Sequence, residues 1–174
     1  MKIGAIRPAS TRFGIEGIMK PTAFKTAKEY ASPQWAFMKR RLIGSEDSVY
    51  LDRMYVIQTP WFGIMFHRIF RPDKQRDLHD HPWNFLSFVL RGCYTETVPC
   101  EGCACHFDDG HYAMRTVRWI NVKRAEDRHS IREVSRVPVW TLVFTGRKRR
   151  QWGFWVDGGT RWVKWTDYDK VDQP

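Results

Sequence analysis

From Tyr50 onward the chain reads as a series of short apolar runs, each closed by a turn signal, and this constrains the fold more than any other feature. The runs are Tyr50–Ile57, Phe62–Phe70, Phe85–Leu90, Tyr94–Val98, Tyr112–Val117, His129–Val134, Trp140–Phe144, Trp152–Trp155 and Arg161–Trp165. They are rich in Val, Ile, Phe, Tyr and Trp, which suit a pleated, half-buried surface. Between them stand Thr59-Pro60, Arg71-Pro72-Asp73, Arg91-Gly92, Asp108-Asp109-Gly110 and Asp157-Gly158-Gly159, the residues that turns require. Regular short strands with little helical pattern between them predict an all-β sandwich or barrel. The segment FGIMFHRIF is apolar on both faces, as a buried central strand would be.

At 174 residues the chain has room for one domain with its own core and no need of disulfides. Residues 1–48 differ in texture: lysines and arginines interrupted by Pro8, Pro21 and Pro33. Here AFKTAKEYA and QWAFMKRRL both tolerate helical spacing, so an irregular or partly helical basic arm is expected, followed by a barrel domain over 49–174. No apolar run is long enough to span a bilayer, and the N-terminus lacks an apolar leader core, which predicts a cytoplasmic protein without a membrane partner. The net charge of +10 favours polyanions and anionic substrates as partners. The fourfold basic run Arg147–Arg150 reads as a solvated loop, with phosphate contact as the competing use. Trp152, Trp155, Trp162 and Trp165 flank Asp157-Gly158-Gly159, the pattern of a C-terminal hairpin with one aromatic face on the barrel.

The chemistry sits in the histidines. In Leu78-His79-Asp80-His81-Pro82-Trp83, residues two apart on a strand share a face, so His79 and His81 present adjacent imidazoles suited to one divalent ion. Asp80 faces the other way, and His67, within an apolar strand, reads as a satisfied core residue. The stretch HDHPWNFLSFVLRG resembles the first motif of the cupin superfamily, and Trp119 to His129 resembles the second. The resemblance extends to small cupin-like proteins often carried by bacteriophages. It implies a cupin-type double-stranded β-helix, or jelly-roll barrel, with a metal held by His79, His81 and His129. The family's fourth ligand, a Glu, falls on Phe85, and Arg124, Ala125 and Glu126 occupy the second motif's turn. What remains resembles the three-histidine site of thiol dioxygenases, which implies one divalent ion, Fe(II) first, with Zn, Mn or Ni as alternatives.

Neutral ligands leave such an ion's positive charge in place and favour an anion, so the expected function is a dioxygenase-like oxidoreductase acting on a small, anionic substrate in the barrel, with Arg91 and Arg115 as candidate substrate-binding residues at the pocket mouth. A metal-dependent isomerase is a related reading. From another class comes a non-enzymatic basic module that binds nucleic acid or a host protein, and a homodimer is compatible with either. Cys100-Glu-Gly-Cys103-Ala-Cys105-His106 has the spacing of a zinc knuckle and marks Cys100, Cys103, Cys105 and His106 as a candidate second metal site, set against a plain thiol-bearing loop. Cys93, beside the turn glycine, reads as a small core residue.

Overall fold

The computed structural model describes residues 33–45, 48–100, 112–135 and 138–171. The strands are β1 (Ala36–Ser45), β2 (Ser48–Gln58), β3 (Gly63–Ile69), β4 (Leu78–His79), β5 (Phe85–Arg91), β6 (Tyr94–Pro99), β7 (Tyr112–Val117), β8 (Ile120–Lys123), β9 (Ser130–Val134), β10 (Val139–Thr145), β11 (Gly153–Val156) and β12 (Arg161–Lys164). A large sheet runs β1-β2-β3-β10-β5-β8, and two smaller ones run β12-β11-β4 and β7-β6-β9. Every ladder is antiparallel.

Period-two burial explains why these segments pair as they do. Along β10 Val139, Thr141, Val143 and Thr145 are buried while their neighbours are less so, and they sit opposite Ile69, His67, Met65 and Gly63 of β3. One face therefore points inward. Leu51, Ile69, Val89 and Val139 from the large sheet share a cluster with Tyr94, Val117 and Ile131 from the β7-β6-β9 sheet. Two sheets closed over a common interior make a jelly-roll barrel.

The helical expectation for QWAFMKRRL is corrected: Ala36–Ser45 is a strand, zipped to β2 from Ala36↔Gln58 to Ser45↔Ser48. Arg40 reaches across the hairpin to Asp52, with Nε to Oδ1 at 2.9 Å and Nη2 to Oδ2 at 3.0 Å. A long ladder with a cross-strand ion pair outweighs the few tenths of a kcal/mol per residue, roughly, that helix propensity offers. The large sheet thus begins at Ala36. The segment AFKTAKEYA lies outside the described residues.

The C-terminal hairpin forms as its turn signal indicates. β11 and β12 pair from Gly153↔Lys164 to Val156↔Arg161, and Asp157, Gly158 and Gly159 turn the chain at φ 54°, 67° and 91°, where glycine is cheapest. Gly153 is required for a different reason: a Cβ there would lie 2.1 Å from the Val163 carbonyl oxygen. Phe154, Val156 and Tyr168 form the hairpin's own core, with Trp152, Val163 and Trp165 packed on it. Among the described residues no helix is long and apolar enough to cross a membrane.

Candidate metal centre

β4 is only two residues long, and it holds His79 between two neighbours. On one side it pairs with Phe154 of β11. On the other, His79 and His129 exchange both backbone hydrogen bonds, at 2.9 and 3.0 Å, which sets their side chains next to each other. His81 lies beyond the strand end rather than on it. Its amide donates to the Ala125 carbonyl at 3.1 Å, and Ala125 is in turn anchored by the Asn84 side chain at 2.8 Å. The turn before His129 therefore docks His81, and strand alternation alone does not.

The three rings form a nearly even triangle, with centroids 5.3 Å (His79–His81), 4.8 Å (His79–His129) and 5.0 Å (His81–His129) apart. One nitrogen from each lies within 4.8 Å of the others, and Nε2 of His81 is 2.8 Å from Nε2 of His129. Two of the imidazoles are held neutral. Burial pulls His79 down to about 4, with the His129 charge acting the same way against Asp73 and Glu96. Burial, then the charges of His129, His79, Lys123 and Arg53, hold His81 well below its ordinary value.

The third histidine is oriented by Glu96 of β6, which sequence reasoning missed. Glu96 is fully buried and accepts from His129 Nδ1 at 2.7 Å, Lys123 Nζ at 3.0 Å, Asn121 Nδ2 at 3.1 Å and Arg115. Burial pushes its carboxyl up, yet the His129 hydrogen bond and the charges of His129 and Lys123 outweigh this and keep it far below the usual carboxylate range. An ionised Glu96 fixes the His129 proton on Nδ1 and leaves the Nε2 lone pair facing the other two rings. That is the outer support a metal-binding histidine needs. A signal was available: Tyr94 faces inward, so Glu96, two residues on, does too.

A divalent ion fits this donor set: three clustered ring nitrogens, two rings neutral at pH 7, one tautomer fixed. Phe85 stands edge-on to His81 with centroids 4.9 Å apart. Phe154 and Trp152 flank His79 at 6.0 and 6.3 Å. Together these rings give the centre an aromatic wall.

Other sequence candidates fall elsewhere. Arg115 is committed to Glu96 and to Asn121 Oδ1, the latter at 2.7 Å, so it braces the carboxylate instead of standing free for a substrate. Arg91 is exposed at the end of β5, opposite Trp140. The inward-facing arginine is Arg53 of β2, aligned with His67 of β3. It donates from Nε to His67 Nε2 at 3.0 Å, and burial, then the Arg53 charge, keeps His67 well below its ordinary value. His67 is thus a satisfied interior residue, as its sequence context indicates. Cys100 ends the run after β6 and is half-buried, while Cys103, Cys105 and His106 lie outside the described residues.

Asp80 is neither a ligand nor a surface group. Fully buried, it accepts from Gly153 N–H at 2.8 Å, Trp155 Nε1 at 3.2 Å and Trp162 Nε1 at 2.9 Å, and pairs with Arg150 at 3.1 Å. It ties the C-terminal hairpin to the histidine motif. In the basic run, Arg147, Lys148 and Arg149 are exposed.

No family model and no curated protein sequence matches the chain. Among solved structures, an oxalate decarboxylase variant of Bacillus subtilis aligns at 14% identity over 68% of this chain and 30% of its own, with a TM-score of 0.46. A cupin-2 domain protein of Rhodospirillum rubrum aligns at 11% identity over 77% and 81%, TM-score 0.47. An RmlC-like cupin of Shewanella frigidimarina aligns at 14% identity over 68% and 97%, TM-score 0.42. The chain therefore spans less than a third of the decarboxylase it resembles. The chain's own antiparallel sheets make its fold an all-β jelly roll.

Proposed function

We propose that this chain is a metal-dependent enzyme that holds one divalent ion on His79, His81 and His129 and acts on a small anionic substrate inside the barrel. The observation that carries this reading is the trio itself, with its third member oriented by a fully buried carboxylate. An ion bound there supplies Lewis-acid polarisation of the substrate or, as Fe(II), dioxygenase-like oxidation. Fe(II) is the first choice, and Zn, Mn and Ni compete because clustered imidazoles bind late first-row ions generically.

The chain's own residues define what the substrate must be. Three neutral ligands leave the ion's charge uncancelled among its ligands, which favours an anion. Arg53, facing inward without a carboxylate partner among the described residues, takes the role the sequence had assigned to Arg91 and Arg115. Phe85, Trp152 and Phe154 shield the ring side of the trio from water, which strengthens electrostatic contacts there. Glu96 holds the His129 proton on Nδ1, away from the reacting side.

Metal content of anaerobically purified protein tests this. One equivalent is expected in the wild type and little in His79→Ala or His129→Ala; equal content in all three rejects the site. Oxygen uptake with small thiols and carboxylic acids then separates oxidation from isomerisation. The net charge of +10 and the exposed Arg147–Arg149 stretch support a second reading, nucleic-acid binding. Steeply salt-dependent binding that His79→Ala leaves intact would favour it.

A further inference from the structure

A cavity of about 420 Å³ opens next to the metal centre, between the end of β2, the turn after His81, the loop before β11 and the end of β12. That volume is within the range of small-molecule sites. Trp83, Trp152 and Trp165 supply aromatic walls, Lys148 and Lys164 supply charge, and Gln151 supplies an amide. No carboxylate lines it. Neither lysine forms an ion pair among the described residues, and the acidic group near Lys164, Asp167, is engaged by Lys170 at 2.8 Å.

Two features give the cavity a chemical preference. The Trp152 and Trp165 rings are parallel to within 3°, with centroids 5.6 Å apart, so they form an offset stack, an indole platform in the wall of the cavity that both residues line. Backbone pairing between the same two residues, from Trp165 N–H to the Trp152 carbonyl at 3.3 Å, holds that platform in place. Flat indole surface beside unpaired ammonium groups is the combination that accepts a stacked base and its phosphate.

We propose that this cavity binds a nucleoside monophosphate unit, with the base against the indole platform, the phosphate at Lys148 and Lys164, and the amide of Gln151 at the polar rim. The unit has two sources, a free mononucleotide or the 5′-phosphorylated end of a strand. The site adjoins the metal centre through Trp152 but shares no ligand with it, so it does not depend on the metal reading.

Calorimetric titration with AMP, adenosine, inorganic phosphate and a 5′-phosphorylated oligonucleotide tests the proposal. AMP is expected to bind, with adenosine and phosphate each about tenfold weaker or more. Lys148→Gln combined with Lys164→Gln, both changes of partly or fully exposed side chains, should weaken AMP about tenfold. His79→Ala should bind AMP as the wild type does. Oligonucleotide binding tighter than AMP, lost in the lysine double variant, identifies a strand end as the source; AMP binding as tight as the oligonucleotide identifies the free nucleotide. No AMP binding at millimolar concentration, phosphate binding as tight as AMP, or an unaffected lysine double variant overturns the proposal. A circular-dichroism spectrum of the double variant matching the wild type makes the last comparison decisive.

Discussion

Among the described residues two carboxylates, Asp80 and Glu96, are fully buried, and their surroundings differ in one respect that decides what each does. Glu96 accepts from Lys123, Arg115 and His129 as well as the neutral Asn121. Asp80 accepts from the Gly153 amide and two tryptophan N–H groups, with Arg150 as its ion-pair partner. Burial dominates at Asp80 and raises its pKa, against the Gly153 hydrogen bond and the Arg150 charge. At Glu96 the charged donors win and lower it. Neutral donors satisfy a buried carboxylate's lone pairs without repaying the loss of hydration, whereas cations repay it. The first arrangement fastens a hairpin; the second holds a charge against a histidine.

The contrast breaks most visibly at Glu96. Glu96→Leu leaves Lys123 buried without its counter-charge and should cost about 3–5 kcal/mol in urea denaturation. Glu96→Gln, gentler on the fold, should reduce metal affinity by about 10- to 100-fold through His129. Full metal affinity in Glu96→Gln would show that the carboxylate does not orient the ligand.

Acid should come next in size. An unfolded histidine takes up its proton near pH 6.5, roughly, while His79 in the metal-free fold waits until about 4. The unfolded state therefore binds more protons across that interval, and stability falls as pH falls, by about 3 kcal/mol at pH 4 from His79 alone. Glu96, with its lowered pKa, adds to the loss below the ordinary carboxylate range. Asp80 acts in the opposite sense: its raised pKa costs stability at neutral pH, and that cost fades on acidification. Urea midpoints of metal-free protein between pH 7.5 and 4 report the sum, and a flat profile would contradict a buried, neutral His79 and His81.

Asp80→Asn should cost about 1–3 kcal/mol, because an amide cannot accept from all of the donors that converge on Asp80. Amide exchange should quicken across β11 and β12 more than across β3 and β10. It should also steepen the acid response, since the one opposing carboxylate is gone. Uniform exchange would mean that Asp80 does not fasten the hairpin. The smallest effect belongs to Arg150→Ala. Removing a partly exposed cation should cost about 1 kcal/mol or less and raise the Asp80 pKa further, readable from the carboxyl resonance.

Much of this was legible in the residues. Period-two alternation marked most strands, because a half-buried strand must alternate whatever it pairs with. The HDH pair stands out because ligand chemistry admits few residue types, whereas His129 comes from the resemblance of Trp119 to His129 to a second cupin motif. β1 was misread because Gln34 to Leu42 satisfies helical spacing equally well, and only pairing with β2 selects the strand. Glu96 was overlooked because a single Glu in TETV carries no motif, although its parity with Tyr94 placed it inside. The pairing of Arg115 with Glu96 had no local signal at all, since its partner is on another strand.

The sequence by itself determined the alternating faces, the glycine-dependent hairpin turn at 157–159 and the pair of metal-competent side chains in HDH. These follow from local sterics and side-chain chemistry, which act over a few residues. Only the tertiary structure decided that His81 meets His129 through the Ala125 turn, that Glu96 rather than Asp80 supports the trio, and that Arg115 is committed to Glu96 while Arg53 faces the interior against His67. Those outcomes depend on which strands lie side by side and on the local dielectric, and both are set when the two sheets close over one another.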